Sequence, residues 1–219
     1  MRGMGKKLII GFGLLGKELH EQTAWQYYKG DIYKADFGNQ YDTLINCIGY
    51  TNTYDNNMGQ HWESNLRVTK HLIDICNQNN YKYVHISTDY IYSGSKSFAS
   101  ENDVPVHNDC WYSYTKLVAD ALVQLECNEY LICRGTHKPY PFPYDKAWTN
   151  QVGNFDYVDI IAGLIIKLIK KDAKGIYNVG TGLKTMSELA GNNKQKILKG
   201  EHVPGDVTMN IDRLKNFLK

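Results

Sequence analysis

The stretch "KLIIGFGLLGKEL" (residues 7–19) decides the fold. Its apolar start suits a strand covered on both faces, and three glycines follow at once, at positions 11, 13 and 16. Leu14, Leu15 and Leu19 then recur at helical spacing. In a strand–turn–helix unit of this kind Gly11 permits the tight turn and Gly13 lets backbone amides approach a pyrophosphate. Gly16 lets the helix sit close on the strand. The amino end of that helix carries partial positive charge, which favours phosphate. Phe12, Leu14 and Leu15 complete the loop as candidate cofactor contacts. Alone the motif is weak, because the same glycines would serve a turn that binds nothing.

Outward from this unit the pattern repeats. Strands are expected at "AWQYY" (24–28), "DTLINCIG" (42–49), "YKYVHIST" (81–88), "EYLICRG" (129–135) and "GIYNVGTG" (175–182). Helices are expected at "WESNLRVTKHLIDICNQNN" (62–80), "YTKLVADALVQL" (114–125) and "VDIIAGLIIKLIKK". Strands separated by helices imply a parallel sheet covered on both faces, doubly wound by the right-handed crossover rule. In such sheets ligands bind beyond the carboxyl ends of the strands. That places the active loops at 11–16, 47–53, 87–94 and 134–140, with Cys47, Ile48, Gly49 and Thr51 as further candidate cofactor contacts.

The bulk numbers narrow the class. At 219 residues the chain is long enough for one good core and a small appended lobe. Hydrophobic residues at 42% and charged residues at 22% are ordinary for a soluble globular protein. A net charge of +2 with no long basic run gives no nucleic-acid footprint. Five cysteines without a CxxC suit a reducing compartment. The basic, apolar start is broken by glycines and lacks a small-residue cleavage site, and no apolar run is long enough to span a bilayer. The expectation is a cytoplasmic protein with no membrane contact. The histidines and acids show no metal-ligand spacing.

In "CWYSYTKLVAD" (110–120) the two tyrosines differ in what they offer Lys116. Tyr112 stands four residues before it on one helical face, whereas Tyr114 stands two before it and points away. With 17 tyrosines in the chain, a spacing of this kind also arises by chance.

Four segments in order, "GFGLLG", "INCIGYTN", "HISTDYIYSG" and "YSYTK", together resemble the extended short-chain dehydrogenase/reductase family (the NAD-dependent epimerase/dehydratase superfamily). The chain is most similar to its dTDP-4-dehydrorhamnose reductase branch, in shortened form. The branch also resembles the regulatory beta subunit of methionine adenosyltransferase. The resemblance implies a Rossmann-like sheet that binds NAD or NADP and reduces a keto group, on a 4-keto-6-deoxy nucleotide-sugar. It implies that Tyr112 gives the proton, Lys116 lowers the phenol pKa and holds the nicotinamide ribose, and Thr88 binds the same substrate oxygen. It implies that "ADF" (35–37) places Asp36 and Phe37 beside the adenine. Dehydratases of the superfamily carry Thr-Asp-Glu where this chain has Thr88, Asp89 and Tyr90, so dehydration is disfavoured. Asp89, Trp111, Arg134 and His137 are candidate substrate contacts. Asn65 lies where the wider family keeps an asparagine that supports the site.

The chain departs from the family in two places. Only 19 residues separate Gly16 from Asp36, and no acid closes the second strand. Lys29, Gly30 and Asp31 follow it instead, which favours NADP(H) slightly over NAD(H), with Lys29 or Lys34 available to a 2′-phosphate. After Arg134 the substrate lobe is reduced, so the chain divides as 1–135, the dinucleotide-binding part, and 136–219, a reduced lobe with a returning strand and helix. The aromatic, proline-rich segment "YPFPYDKAW" (140–148) is a candidate pocket wall or interface, and a homodimer is one way to complete the site. A nucleotide-sugar epimerase and a non-catalytic cofactor-binding regulatory subunit remain as alternatives.

Overall fold

The computed structural model describes residues 5–38, 40–103 and 110–219. Residues 104–109 ("VPVHND"), which precede Tyr112 in the sequence, lie outside the described residues. Six strands form one sheet: β1 (Lys7–Ile10), β2 (Gln26–Tyr28), β3 (Thr43–Asn46), β4 (Lys82–Ile86), β5 (Tyr130–Arg134) and β6 (Gly175–Asn178). Their spatial order is β2-β1-β3-β4-β5-β6, and every neighbouring pair is parallel. The chain moves to one side of β1 to make β2, then crosses back to make β3. The switch point therefore falls between β1 and β3, where the carboxyl-end crevice opens. The compressed stretch between Gly16 and Asp36 holds one strand, a short 3-10 turn and no second helix.

The helices are α1 (Leu14–Thr23), α2, α3 (Trp111–Glu126), α4 (Val158–Lys170), α5 (Met186–Ala190) and α6 (Asp212–Leu218). The second of these, α2, is a continuous helical run made of Met58–His61, a π-helical segment Trp62–Arg67, and Val68–Asn79. Period-two alternation on the strands splits the core in two. Ile9, Ile45, Val84, Leu131 and Cys133 face α1 and α4, meeting Leu19, Ile161 and Ile165. Leu8, Ile10, Leu44, Tyr83 and Ile132 face α2 and α3, meeting Leu72, Ile73 and Val123. The sheet is thus buried on both sides, as its unbroken apolar strands require.

After β5 the chain builds a small lobe over the carboxyl edge. Val152–Gly153 pairs with Lys184–Thr185 and Asp206–Val207, Lys146–Trp148 pairs with Gln195–Ile197, and His137–Lys138 pairs with Asp156–Tyr157. Phe142, Ala147, Phe155, Met186, Leu189 and Val207 make its core. The helix α5 opens with a capping box between Thr185 and Glu188. The final helix α6 returns to the main sheet, where Phe217 meets Tyr177 at 5.3 Å between ring centroids. Among the described residues no helix is long and apolar enough to cross a membrane.

Candidate active site

The glycine loop is built by close approach. Gly11 has φ +89°, and its amide donates to the Tyr28 carbonyl at 2.9 Å, tying the turn to β2. A Cβ on Gly16 would lie 2.1 Å from the Gly11 carbonyl oxygen, so only glycine lets α1 sit this close to the turn. Gly13 differs, since a Cβ there would meet nothing within 4 Å. It is exposed, lines the cleft, and precedes a helix whose first turn holds no acid. An open flank beside an acid-free helix amino end fits a dinucleotide's pyrophosphate. Phe12 turns away and stacks on Tyr27 at 3.8 Å.

Beyond β2, Asp31 caps the Tyr33 amide at 3.1 Å and its carboxylate meets Lys34 at 3.4 Å. No ion pair is formed by Lys29 among the described residues. Asp36 and Phe37 do not line the cleft. Asp36 is exposed and accepts from the Gly38 amide at 2.9 Å, while Phe37 is buried edge-to-face against Tyr28 at 5.3 Å.

A cleft of about 390 Å³ runs along the carboxyl edge of the sheet and draws on all four expected loops. Leu14, Leu15 and Gly13 close one end, with Cys47, Ile48, Gly49 and Thr51 beside them. Asn65, fully buried within the π-helical segment, also reaches the wall. Its Oδ1 accepts from the Tyr50 amide at 2.9 Å and its Nδ2 donates to Thr115 Oγ1 at 3.0 Å, pinning the β3 loop to α3. Bulges of π type occur often at functional sites, because they re-aim a side chain without ending the helix.

Thr88, Tyr112 and Lys116 converge on the middle of this cleft, and Tyr114 is exposed outside it. Burial pushes the Tyr112 phenol up to about 12, with the Asp89 charge adding to the rise and a hydrogen bond from Thr88 opposing it. Burial also pushes the Lys116 ammonium down to about 8, against the attraction of Asp120 and Cys47. The Lys116 Nζ donates to the Ile86 carbonyl at 2.5 Å. The Lys116 charge does not offset the rise on the Tyr112 phenol, whose surroundings are a buried wall and a neighbouring acid.

The other candidates separate. His137 lines the cleft, and burial pushes its imidazole down to about 4, so it is neutral at pH 7. Asp89 is buried behind the wall, accepts from Thr136 at 2.5 Å and from Thr88 at 3.3 Å, and is pushed up by burial to about 6. Arg134 does not reach the cleft. It is buried beneath α3, where its Nε meets Asp120 at 2.9 Å and its guanidinium donates to the Tyr92 hydroxyl at 2.8 Å. Trp111 also faces elsewhere, lining a separate groove with Trp62, Cys110 and Tyr114. His85 is buried in β4, as expected of a strand histidine. Tyr144, from the aromatic segment, does form cleft wall. Lys138, Gln151, Phe155 and Met186 line it too, and only the loop position of Lys138 marked any of them in the sequence.

A model of the NAD dependent epimerase/dehydratase family matches residues 17–137, more than half of the chain, and the chain belongs to that family. Solved structures reproduce the fold. A hypothetical dTDP-4-dehydrorhamnose reductase from Sulfolobus tokodaii superposes with a TM-score of 0.82 at 19% identity, covering 96% of this chain and 94% of its own. A dTDP-4-dehydrorhamnose reductase from Bacillus anthracis in complex with NADP gives 0.80 at 20% identity, covering 99% and 93%. A UDP-glucuronic acid 4-epimerase from Bacillus cereus in complex with NAD gives 0.75 at 17% identity, covering 97% and 92%. No curated protein sequence matches the chain.

Proposed function

We propose that this chain is an NAD(P)H-dependent reductase of a keto group on a 4-keto-6-deoxy nucleotide-sugar, with residues 1–135 as the cofactor part and 136–219 as the reduced substrate lobe. The observation that carries this reading is the convergence of Thr88, Tyr112 and Lys116 on one cleft whose end is the open flank of Gly13. Gly13 and the amino end of α1 would hold the cofactor's phosphates, with Cys47, Ile48, Gly49 and Thr51 along its length and Lys116 at its ribose. When bound, the nicotinamide supplies the hydride. Lys29, with no acid at the end of β2, tilts the preference toward the 2′-phosphate of NADP.

Tyr112 gives the proton. Pushed up to about 12, the phenol keeps its proton at neutral pH, and releasing it relies on the negative charge that develops on the substrate oxygen during hydride transfer. Thr88 hydrogen-bonds the phenol and orients it, and Asn65 fixes the loop opposite.

The test is titration with NADPH and NADH by fluorescence, then loss of reduced-nicotinamide absorbance on adding a panel of 4-keto-6-deoxy nucleotide-sugars. Tyr112→Phe should bind cofactor as the unaltered chain does and lose turnover by at least about 10²–10⁴-fold. Binding without any oxidation would shift the reading to an epimerase or a regulatory subunit. Unchanged turnover in the variant would remove Tyr112 from the chemistry.

A further inference from the structure

The loop after β3 (residues 47–57) meets the end of the lobe beside the cleft, and Tyr54 makes the join. Its ring stands edge-on to His202, 4.8 Å between centroids and 89° between planes. Its hydroxyl lies 3.2 Å from the Tyr90 hydroxyl. The lobe grips Tyr90 as well, since Gln151 Nε2 donates to the same oxygen at 3.0 Å and to the Pro204 carbonyl at 3.1 Å. Pro204 lies two residues after His202, so these contacts close a circuit from Tyr54 through Tyr90, Gln151 and the 202–204 segment back to Tyr54. Tyr90 is the member that faces the chemistry. It lines the cleft and sets its ring edge-to-face with Tyr112 at 6.2 Å. The tip of the β3 loop is folded by its own short bonds. The Asp55 amide donates to the Asn52 carbonyl at 3.1 Å, and the Asn57 amide to Asp55 Oδ1 at 3.1 Å. Residues 51–57 are exposed or half-buried, and Thr51 and Thr53 among them line the cleft. A tip with so little buried surface opens easily, so the contacts that Tyr54 makes weigh heavily in keeping it closed.

We infer that Tyr54 is a positioning residue for the proposed reduction: it clasps the β3 loop to the lobe through His202 and steadies Tyr90 beside Tyr112. This rests on the reductase reading above. The two contacts act on different quantities. The ring contact with His202 keeps Thr51 and Thr53 closed on bound ligands, which sets affinity. The hydroxyl contact fixes Tyr90, whose ring limits where the Tyr112 phenol can swing, and a small misplacement of a reacting group is costly in rate.

The experiment is steady-state kinetics of the full chain at saturating NADPH with dTDP-4-keto-6-deoxyglucose, or with its UDP or GDP counterpart where that is the one turned over. It compares the unaltered chain with Tyr54→Phe and His202→Ala, each checked by thermal melting. Tyr54→Phe keeps the ring contact and loses the hydroxyl bond, so kcat should fall about three- to tenfold while KM stays within about twofold. His202→Ala loses the edge-to-face partner and keeps the hydroxyl bond, so KM should rise about two- to tenfold while kcat stays within about twofold. Hydrogen exchange at residues 51–57 should quicken in His202→Ala. A structural role alone would lower the melting temperatures and leave both constants unmoved, and that result overturns the inference while the reductase reading stands. The same pattern of change in both variants overturns it too, since the two contacts would then not act separately. If the unaltered chain turns over none of the three sugars, the reductase reading falls and the role of Tyr54 falls with it.

Discussion

Two alanines placed three residues apart in the glycine loop should have opposite effects. At Gly16 the new methyl would lie 2.1 Å from the Gly11 carbonyl oxygen and 3.3 Å from Ile9 Cγ2. Carbon and oxygen need more than 3 Å, so α1 must move off β1 by about an ångström, an overpacking that costs about 3 kcal/mol, the upper part of its usual range. For a chain of this size that lowers the melting temperature by roughly 6–12 °C. At Gly13 the backbone is extended, φ −76° and ψ −164°, which alanine adopts freely, and its Cβ meets nothing within 4 Å. The lost helix-cap preference of glycine and the lower unfolded-state entropy of alanine offset each other to within about 1 kcal/mol. Gly13→Ala should therefore melt within about 4 °C of the unaltered chain. Its methyl would nonetheless occupy the space where a pyrophosphate must meet the amides, weakening NADPH by about tenfold or more. Differential scanning fluorimetry and fluorescence titration on both variants give the four numbers. Full NADPH affinity in Gly13→Ala would refute phosphate binding at that residue, and an unshifted melt in Gly16→Ala would refute the helix–strand packing.

Other consequences are as specific. Arg134→Met should destabilise the chain by about 3–5 kcal/mol, because it strands Asp120 as a buried charge beside a neutral His85, and should leave the substrate KM unchanged in the folded fraction. A raised KM with full stability would restore Arg134 as a substrate contact. Asp89, raised from 3.8 to about 6, binds its proton more tightly when folded, so its contribution to stability falls as pH rises through that window. The melting temperature of Asp89→Asn should accordingly gain on that of the unaltered chain between pH 4 and 7, and a constant difference would contradict the burial argument. Ala24 closes α1 at φ +57°, a left-handed conformation costing an alanine about 1–2 kcal/mol. Ala24→Gly should therefore stabilise the chain by about 0.5–1 kcal/mol after glycine's own entropy is subtracted, as chemical denaturation would show.

The strands were legible because a strand covered on both faces must be apolar throughout, and "KLII", "TLIN" and "YLIC" are close to that. Helix starts were not. The helix α2 begins at Met58 rather than Trp62, and the signal was present: Asn57 caps the Gln60 amide at 3.1 Å, and an asparagine three residues before a glutamine is a capping signature. The helix α3 begins at Trp111 rather than Tyr114, where Cys110 stands at the cap and makes no side-chain cap bond, so nothing in the sequence marked the start. The π-helical register that buries Asn65 has no sequence signature, since it depends on α3 and the Tyr50 loop for its bonds. Arg134 was misplaced for want of a parity argument. Leu131 and Cys133 face α1 and α4 while Ile132 faces α3, so the residue after Cys133 had to point toward α3 and Asp120.

The central pair shows what spacing does and does not determine. Four residues on a helix put Tyr112 and Lys116 on one face, and both do line one cleft. Sharing a face fixes where the side chains start, not which group each one serves. A buried ammonium needs acceptors, and Ile86 ends its strand with a carbonyl within reach, so the Lys116 Nζ is held there. Asp120, one further turn along α3, adds attraction from the same side. The phenol is left to Thr88, to Asp89 and to the cleft wall, whose balance keeps its proton on. The retained proton on Tyr112 thus follows from what surrounds each group, and the i,i+4 spacing only delivers the two to the same wall.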